Sequence, residues 1–156
     1  MYDFIDRPLS VLDQGGRFLT WSMRSWVKAM AERQCPASAI APAFARSNVL
    51  PGLQPFLRIM ATFNRSALEP FQFCALPCNH VSEHEAIILS LVCSLRDSAP
   101  DAIGDTLAML VEDDSLGELI VALAALGRAM EAAAIFPARP IEPAIFSAEG
   151  KSGRAG

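Results

Sequence analysis

The stretch "SEHEAIILSLVCSL", residues 82–95, decides the fold. Ser82 and Glu85 stand as S-x-x-E, the capping-box pattern in which two side chains satisfy the free backbone N–H groups of a helix start. Ile87, Ile88, Leu89, Leu91, Val92 and Leu95 follow, broken only by small residues such as Ser90 and Ser94. They cover the helical wheel almost completely, and a helix that is apolar on every side belongs at the centre of a bundle. The sequence therefore predicts an all-α fold, a single-domain bundle with a buried central helix at about 83–95.

Outward from that helix, the periodicity supplies its neighbours. Leu19, Met23, Trp26, Val27 and Met30 recur on one face of a helix expected over 12–33, whose true start Gly15 and Gly16 move towards Arg17. Pro36 suits the first position of a second helix, broken or restarted at Pro42. Pro51 opens a third, carrying Leu53, Phe56, Leu57, Met60 and Phe63 to the core. "FQFCAL", residues 71–76, alternates like an extended segment but is too isolated to imply a sheet. Pro100 opens a fifth helix ending near Val111. Ser115 with Glu118 repeats the capping box before a last helix reaching about Ala134, with Leu119, Ile120, Leu123, Leu126 and Met130 facing the core. Gly127 lets a neighbouring helix approach closely.

About six helices thus make one domain over 1–136, with 1–11 an N-terminal arm pinned by Phe4, Ile5 and Leu9. From Pro137 the periodicity is lost, and 137–156 reads as an irregular tail whose end is expected to be disordered. Pro137, Pro140 and Pro143 recur every third residue, suggesting a stiff strap docked by Phe136, Ile141 and Phe146.

Composition narrows the function. A hydrophobic content of 52% with 19% charged residues excludes global disorder. The most apolar runs, 86–95 and 119–126, are at most half the roughly 20 residues that span a bilayer, so no membrane partner is expected. The first residues carry acids and no apolar signal core, which makes the cytoplasm the expected location and reduced thiols the expected state of the four cysteines. A net charge of −4 gives nucleic-acid binding no support. Residues 1–70 hold eight basic and five acidic side chains (+3), and residues 71–156 five basic and twelve acidic (−7). That asymmetry lets the halves attract each other within one fold or across a dimer.

The chemistry-bearing residues crowd into "CALPCNHVSEHE", 74–85. Cys74, Cys78, His80 and His84 are zinc-ligand types, and Cys2His2 satisfies a tetrahedral ion. Zinc fingers separate their ligand pairs by about a dozen residues. Here one eleven-residue segment containing Pro77 must wrap the ion alone. The competing reading needs no metal: two small buried thiols, two surface histidines, and Glu83 and Glu85 as dipole partners of a helix N-terminus rather than catalysts. A dithiol redox pair is a third reading. Cys-x3-Cys is not the thioredoxin-like C-x-x-C, and no Lys or Arg lies nearby in sequence to activate it.

Arg17, Trp21, Arg24 and Lys28 fall at helical spacing as a candidate anion- or partner-binding stripe, or as a solvated face whose cations meet the acidic turn at 112–114. Cys35-Pro36 places a thiol at a helix start, a dipeptide too short to define a site. No nucleophile elbow, P-loop, dinucleotide fingerprint or H-E-x-x-H is present, so no catalytic residue and no cofactor is assigned, zinc being the alternative.

"RFLTWSMRSWVKAM", "CPASAIAPAFAR" and "PC" shortly before "SEHEAIILSLV" together resemble a family of small uncharacterised bacterial all-helical proteins. The resemblance spans most of 17–95 and, more loosely, the last helix. It implies a Cys-containing loop ahead of an S/T-x-x-E cap, here Cys78, Ser82 and Glu85, and a fold without an assigned activity. The expectation is a non-enzymatic protein acting through a helical surface, as a homo-oligomer or with another protein. The alternative is a metal- or thiol-dependent protein using the 74–84 loop.

Overall fold

The computed structural model describes residues 3–141. Among them lie six α-helices and no strand: α1 (Gln14–Ala31), α2 (Pro36–Arg46), α3 (Leu53–Ser66), α4 (Glu83–Asp97), α5 (Pro100–Ala108) and α6 (Leu116–Ala132). Single 3-10 turns at Leu9–Val11, Leu50–Gly52 and Asp113–Ser115 lead into α1, α3 and α6.

The central helix is as its composition requires. On α4 every residue from 85 to 93 is buried, and the Ser82–Glu85 capping box forms. α6 packs on α3, α4 and α5, while α1 packs on α2 and α4, so α4 is enclosed from several sides. Phe44, Phe56 and Phe63 join Leu19, Met23 and Ile88 among the fully buried side chains. No described helix is long and apolar enough to cross a membrane.

Several boundaries differ from the periodic reading, each for a local reason. α1 starts before its glycines because Asp13 caps it, accepting from Gly16 N at 2.9 Å. Gly15 lies under the Ile135 carbonyl, into which any Cβ would run. α2 is continuous through Pro42, since Pro42 is exposed while Ile40 and Phe44 bury the other side. Ser115 makes no side-chain cap because a 3-10 turn precedes α6, and Glu118 reaches Arg65 (3.4 Å) and Arg58 (3.8 Å) instead. Met30 and Ile120, expected in the core, are 45% and 40% exposed, at the edges of their helical faces.

The terminal segments are tied down by hydrogen bonds as well as by apolar contact. Phe4 is fully buried and pins the arm. After α6, Arg139 reaches Asp97 (2.7 Å), Ser90 (3.0 Å), Ser94 (3.1 Å) and Asp3 (3.1 Å), while Cys93 Sγ–H donates to Pro137 O at 3.4 Å. The strap is thus held by Arg139 and the half-buried Phe136, under Arg96 at 4.1 Å. Ile141, expected to dock the strap, is 92% exposed among the described residues. Pro143, Phe146 and the expected disordered end lie outside the described residues. The charge asymmetry is used within the chain: Arg24, Arg58 and Arg65 of the basic half pair with Glu85 and Glu118 of the acidic half.

Candidate metal centre

The segment between α3 and α4 is irregular yet tightly held. On its outer side the N-terminal arm pairs with it through Asp6 N to Val81 O (3.0 Å), Val81 N to Arg7 O (2.9 Å) and Leu9 N to Asn79 O (2.8 Å). A turn closes with Cys78 N donating to Ala75 O at 3.0 Å. On its inner side sits an ion pair, Arg24 of α1 with Glu85 of α4, Nε to Oε1 at 2.7 Å and Nη2 to Oε2 at 3.0 Å. Both side chains are essentially removed from solvent, at 1% and 0% exposure.

This pair organises the loop by alternate residues. Glu85 accepts from Cys74 N (3.2 Å) and Ser82 N (2.9 Å), the two ends. Arg24 donates to the carbonyls of Leu76 (3.4 Å), Cys78 (2.8 Å) and His80 (2.7 Å) between them. A guanidinium is suited to this, since its planar fork carries five donors that remain charged. The hydrogen bonds with Glu85 raise the Arg24 pKa further, against the opposing effect of burial. Residues 74, 76, 78, 80 and 82 are thereby fixed at the main chain.

Held this way, the loop brings Cys74 Sγ, Cys78 Sγ and one ring nitrogen of His80 within 4.8 Å of one another. Cys78 Sγ lies 3.3 Å from His80 Nδ1 and 3.8 Å from Nε2. A tetrahedral zinc with its usual bonds to sulfur and nitrogen holds its donors about 3.5–3.8 Å apart. The observed spacing therefore brackets such an ion: a pair at the 4.8 Å limit would close by about an ångström, while Cys78 Sγ and His80 Nδ1 would open slightly. The two thiols differ in their surroundings. Burial, then the Cys78 side chain, pushes the Cys74 pKa up to about 11. Hydrogen bonding at the His80 main chain, followed by the Cys74 side chain, lowers that of Cys78, and Arg24 adds to the lowering.

His84 does not join this group. Its ring stacks on Phe71 with centroids 4.5 Å apart, and its Nδ1 lies 2.8 Å from Gln72 N. Phe71 in turn stacks on Phe63 at 4.5 Å, so His84 anchors the front of the connector. The set brought together is Cys74, Cys78 and His80, three of the four expected ligands.

The expected cationic stripe is divided. Arg17 and Lys28 are exposed and Trp21 is 38% exposed, but Arg24 is buried and committed to Glu85 rather than to the acidic turn at 112–114. The sequence pattern hid this pairing, because Arg24 reads as surface and Glu85 as a cap. The usable signal was that Glu85 opens a helix already expected to be buried, so its charge required a partner. Beside Cys74 a groove of about 420 Å³ is bounded by Val27, Lys28, Phe73 and Leu76. An apolar groove of about 660 Å³ adjoins it, between Met30, Phe63, Leu68 and Phe71.

Cys35 is exposed at the start of α2, its pKa lowered by main-chain and side-chain hydrogen bonds at Ser38. Cys93 is buried, and burial pushes its pKa up to about 12. Compared with known proteins, the chain matches no family, no curated protein and no solved structure.

Proposed function

We propose that this is a zinc-binding helical protein whose ion is held by Cys74, Cys78 and His80. One observation carries the reading: three soft or borderline donor atoms lie within 4.8 Å on a loop whose main chain is fixed by a buried ion pair. Thiolate and imidazole donors favour zinc over magnesium or calcium, which take oxygen ligands. Three protein ligands leave a fourth position for water or an incoming donor, in contrast to closed four-ligand structural sites. His80 is exposed, which favours that position being reached from solvent. Arg24 and Glu85 serve as outer supports that hold the ligands' main chain. A reducing compartment such as the cytoplasm keeps both sulfurs available.

The test is metal analysis of protein purified without a histidine tag. One zinc per chain, lost in Cys78→Ala, supports the reading. Its absence after reconstitution of fully reduced protein with excess zinc overturns it.

A second reading, a non-enzymatic protein acting through self-association or a protein partner, is favoured by Met30 and Leu68, 45% and 58% exposed on the larger groove. Light scattering after size exclusion tests the self-association arm: a strict monomer at high concentration removes it.

A further inference from the structure

The same loop places two sulfurs within 4.8 Å of each other with their main chain already held. A disulfide needs about 2.05 Å between sulfurs, so closure asks for less than about 2.8 Å of movement, within the sweep of a side-chain rotation. The turn closed by Cys78 N and Ala75 O brings the chain back towards Cys74. Both cysteines are half-buried, and Cys78 stands beside exposed Asn79 and His80. The main chain of each is tied to the buried ion pair, Cys74 N donating to Glu85 and Cys78 O accepting from Arg24. The other thiols are placed differently: Cys93 is buried and donates to Pro137 O, and Cys35 sits at the start of α2.

We infer that Cys74 and Cys78 are an oxidation site for small peroxides, closing an intramolecular disulfide in competition with metal binding. The metal-competition clause rests on the zinc reading, whereas the disulfide rests on the sulfur geometry alone. The Cys78 sulfur attacks one peroxide oxygen, the O–O bond breaks, and Cys78 becomes a sulfenic acid as one water leaves. The Cys74 sulfur then displaces the hydroxyl from Cys78, and its proton leaves with that hydroxyl as a second water. Two thiols give up two electrons to the peroxide, and both thiol hydrogens end in water. Because Arg24 and Glu85 hold the backbone, the helices stay folded through the step.

The experiment uses the full chain with Cys35→Ser, reduced, in zinc-loaded and chelator-stripped forms, treated with hydrogen peroxide. Mass analysis after alkylation is expected to find the Cys74–Cys78 peptide two hydrogens lighter and unalkylated, with unchanged circular dichroism. From the loaded form, one zinc is released for each disulfide, read with a chromogenic chelator. In Cys74→Ser, Cys78 has no resolving thiol, and its sulfenic acid becomes trappable with dimedone. Oxidation of Cys78 to sulfinic acid while Cys74 remains alkylatable overturns the inference, as does a pair that stays reduced. Zinc binding without a disulfide sinks this inference alone; a disulfide in protein that takes up no zinc when fully reduced sinks the metal reading and the competition clause with it, and leaves the oxidation site standing.

Discussion

Replacing Arg24 with methionine tests the centre of the structure. Methionine keeps most of the side chain's length and fills the space, so the cost is electrostatic rather than a cavity. It leaves Glu85, at 0% exposure, with the amides of Cys74 and Ser82 but without its cation. Breaking one side of a buried pair costs about 3–5 kcal/mol, because the remaining charge is buried uncompensated. The carbonyls of Leu76, Cys78 and His80 also lose their donor, but they border solvent and water replaces much of that contribution. Arg24→Met is therefore expected to lose about 3–5 kcal/mol by urea denaturation, and about 6–20 °C in Tm for a chain of this size. The double variant Arg24→Met, Glu85→Leu removes both charges and is expected to recover to within about 2 kcal/mol of the parent, since apolar replacement of a buried pair is often nearly neutral. Zinc affinity is not expected to recover with it, because the loop has lost its supports. A single variant costing less than about 1 kcal/mol, or a double variant showing the sum of its single losses, refutes the reasoning.

Other substitutions probe the surroundings. Gly15→Ala drives a Cβ into the Ile135 carbonyl and is expected to cost about 1–3 kcal/mol, whereas Gly117→Ala, with nothing within 4 Å, gains about 0.5–1 kcal/mol; chemical denaturation of both reads the contrast. Hydrogen bonding to Arg139 holds the Asp97 pKa below its ordinary value. That contribution to stability is fully present above the unfolded aspartate value of about 3.9 and is lost as pH falls through the lower folded value. Tm is thus expected to fall less steeply in acid for Asp97→Asn than for the parent, and parallel curves would remove Arg139 as the strap's latch. His84→Ala loses its stack on Phe71 and is expected to cost about 0.5–1.5 kcal/mol by denaturation with no loss of zinc.

What was legible in the sequence followed periodicity and caps. The central helix could be read because Ile87 to Val92 leave no polar face and Ser82 with Glu85 marks its start. Its neighbours could be read from runs such as Leu53, Phe56, Met60 and Phe63. Local patterns were weaker where tertiary contacts compete. Ser115 and Glu118 have capping-box spacing, but the preceding 3-10 turn and two arginines of α3 take them elsewhere. The sequence placed the cysteines and His80 in one candidate loop, but spacing alone could not separate His80 from His84. That distinction depends on Phe71 lying against His84 and on the N-terminal arm pairing with 79–81. Arg24 and Glu85 were the least legible, being 61 residues apart. Each had an adequate local explanation, as a surface cation and as a cap. Only the enclosure of α1 and α4 around the loop turns them into its support.

Zinc content of the untagged, reduced protein tests the central claim most directly, measured by elemental analysis on the parent, Cys78→Ala and His84→Ala. The account predicts one zinc per chain in the parent and in His84→Ala, and none in Cys78→Ala. A parent that takes up no zinc, or a His84→Ala variant that loses it while Cys78→Ala keeps it, contradicts the account.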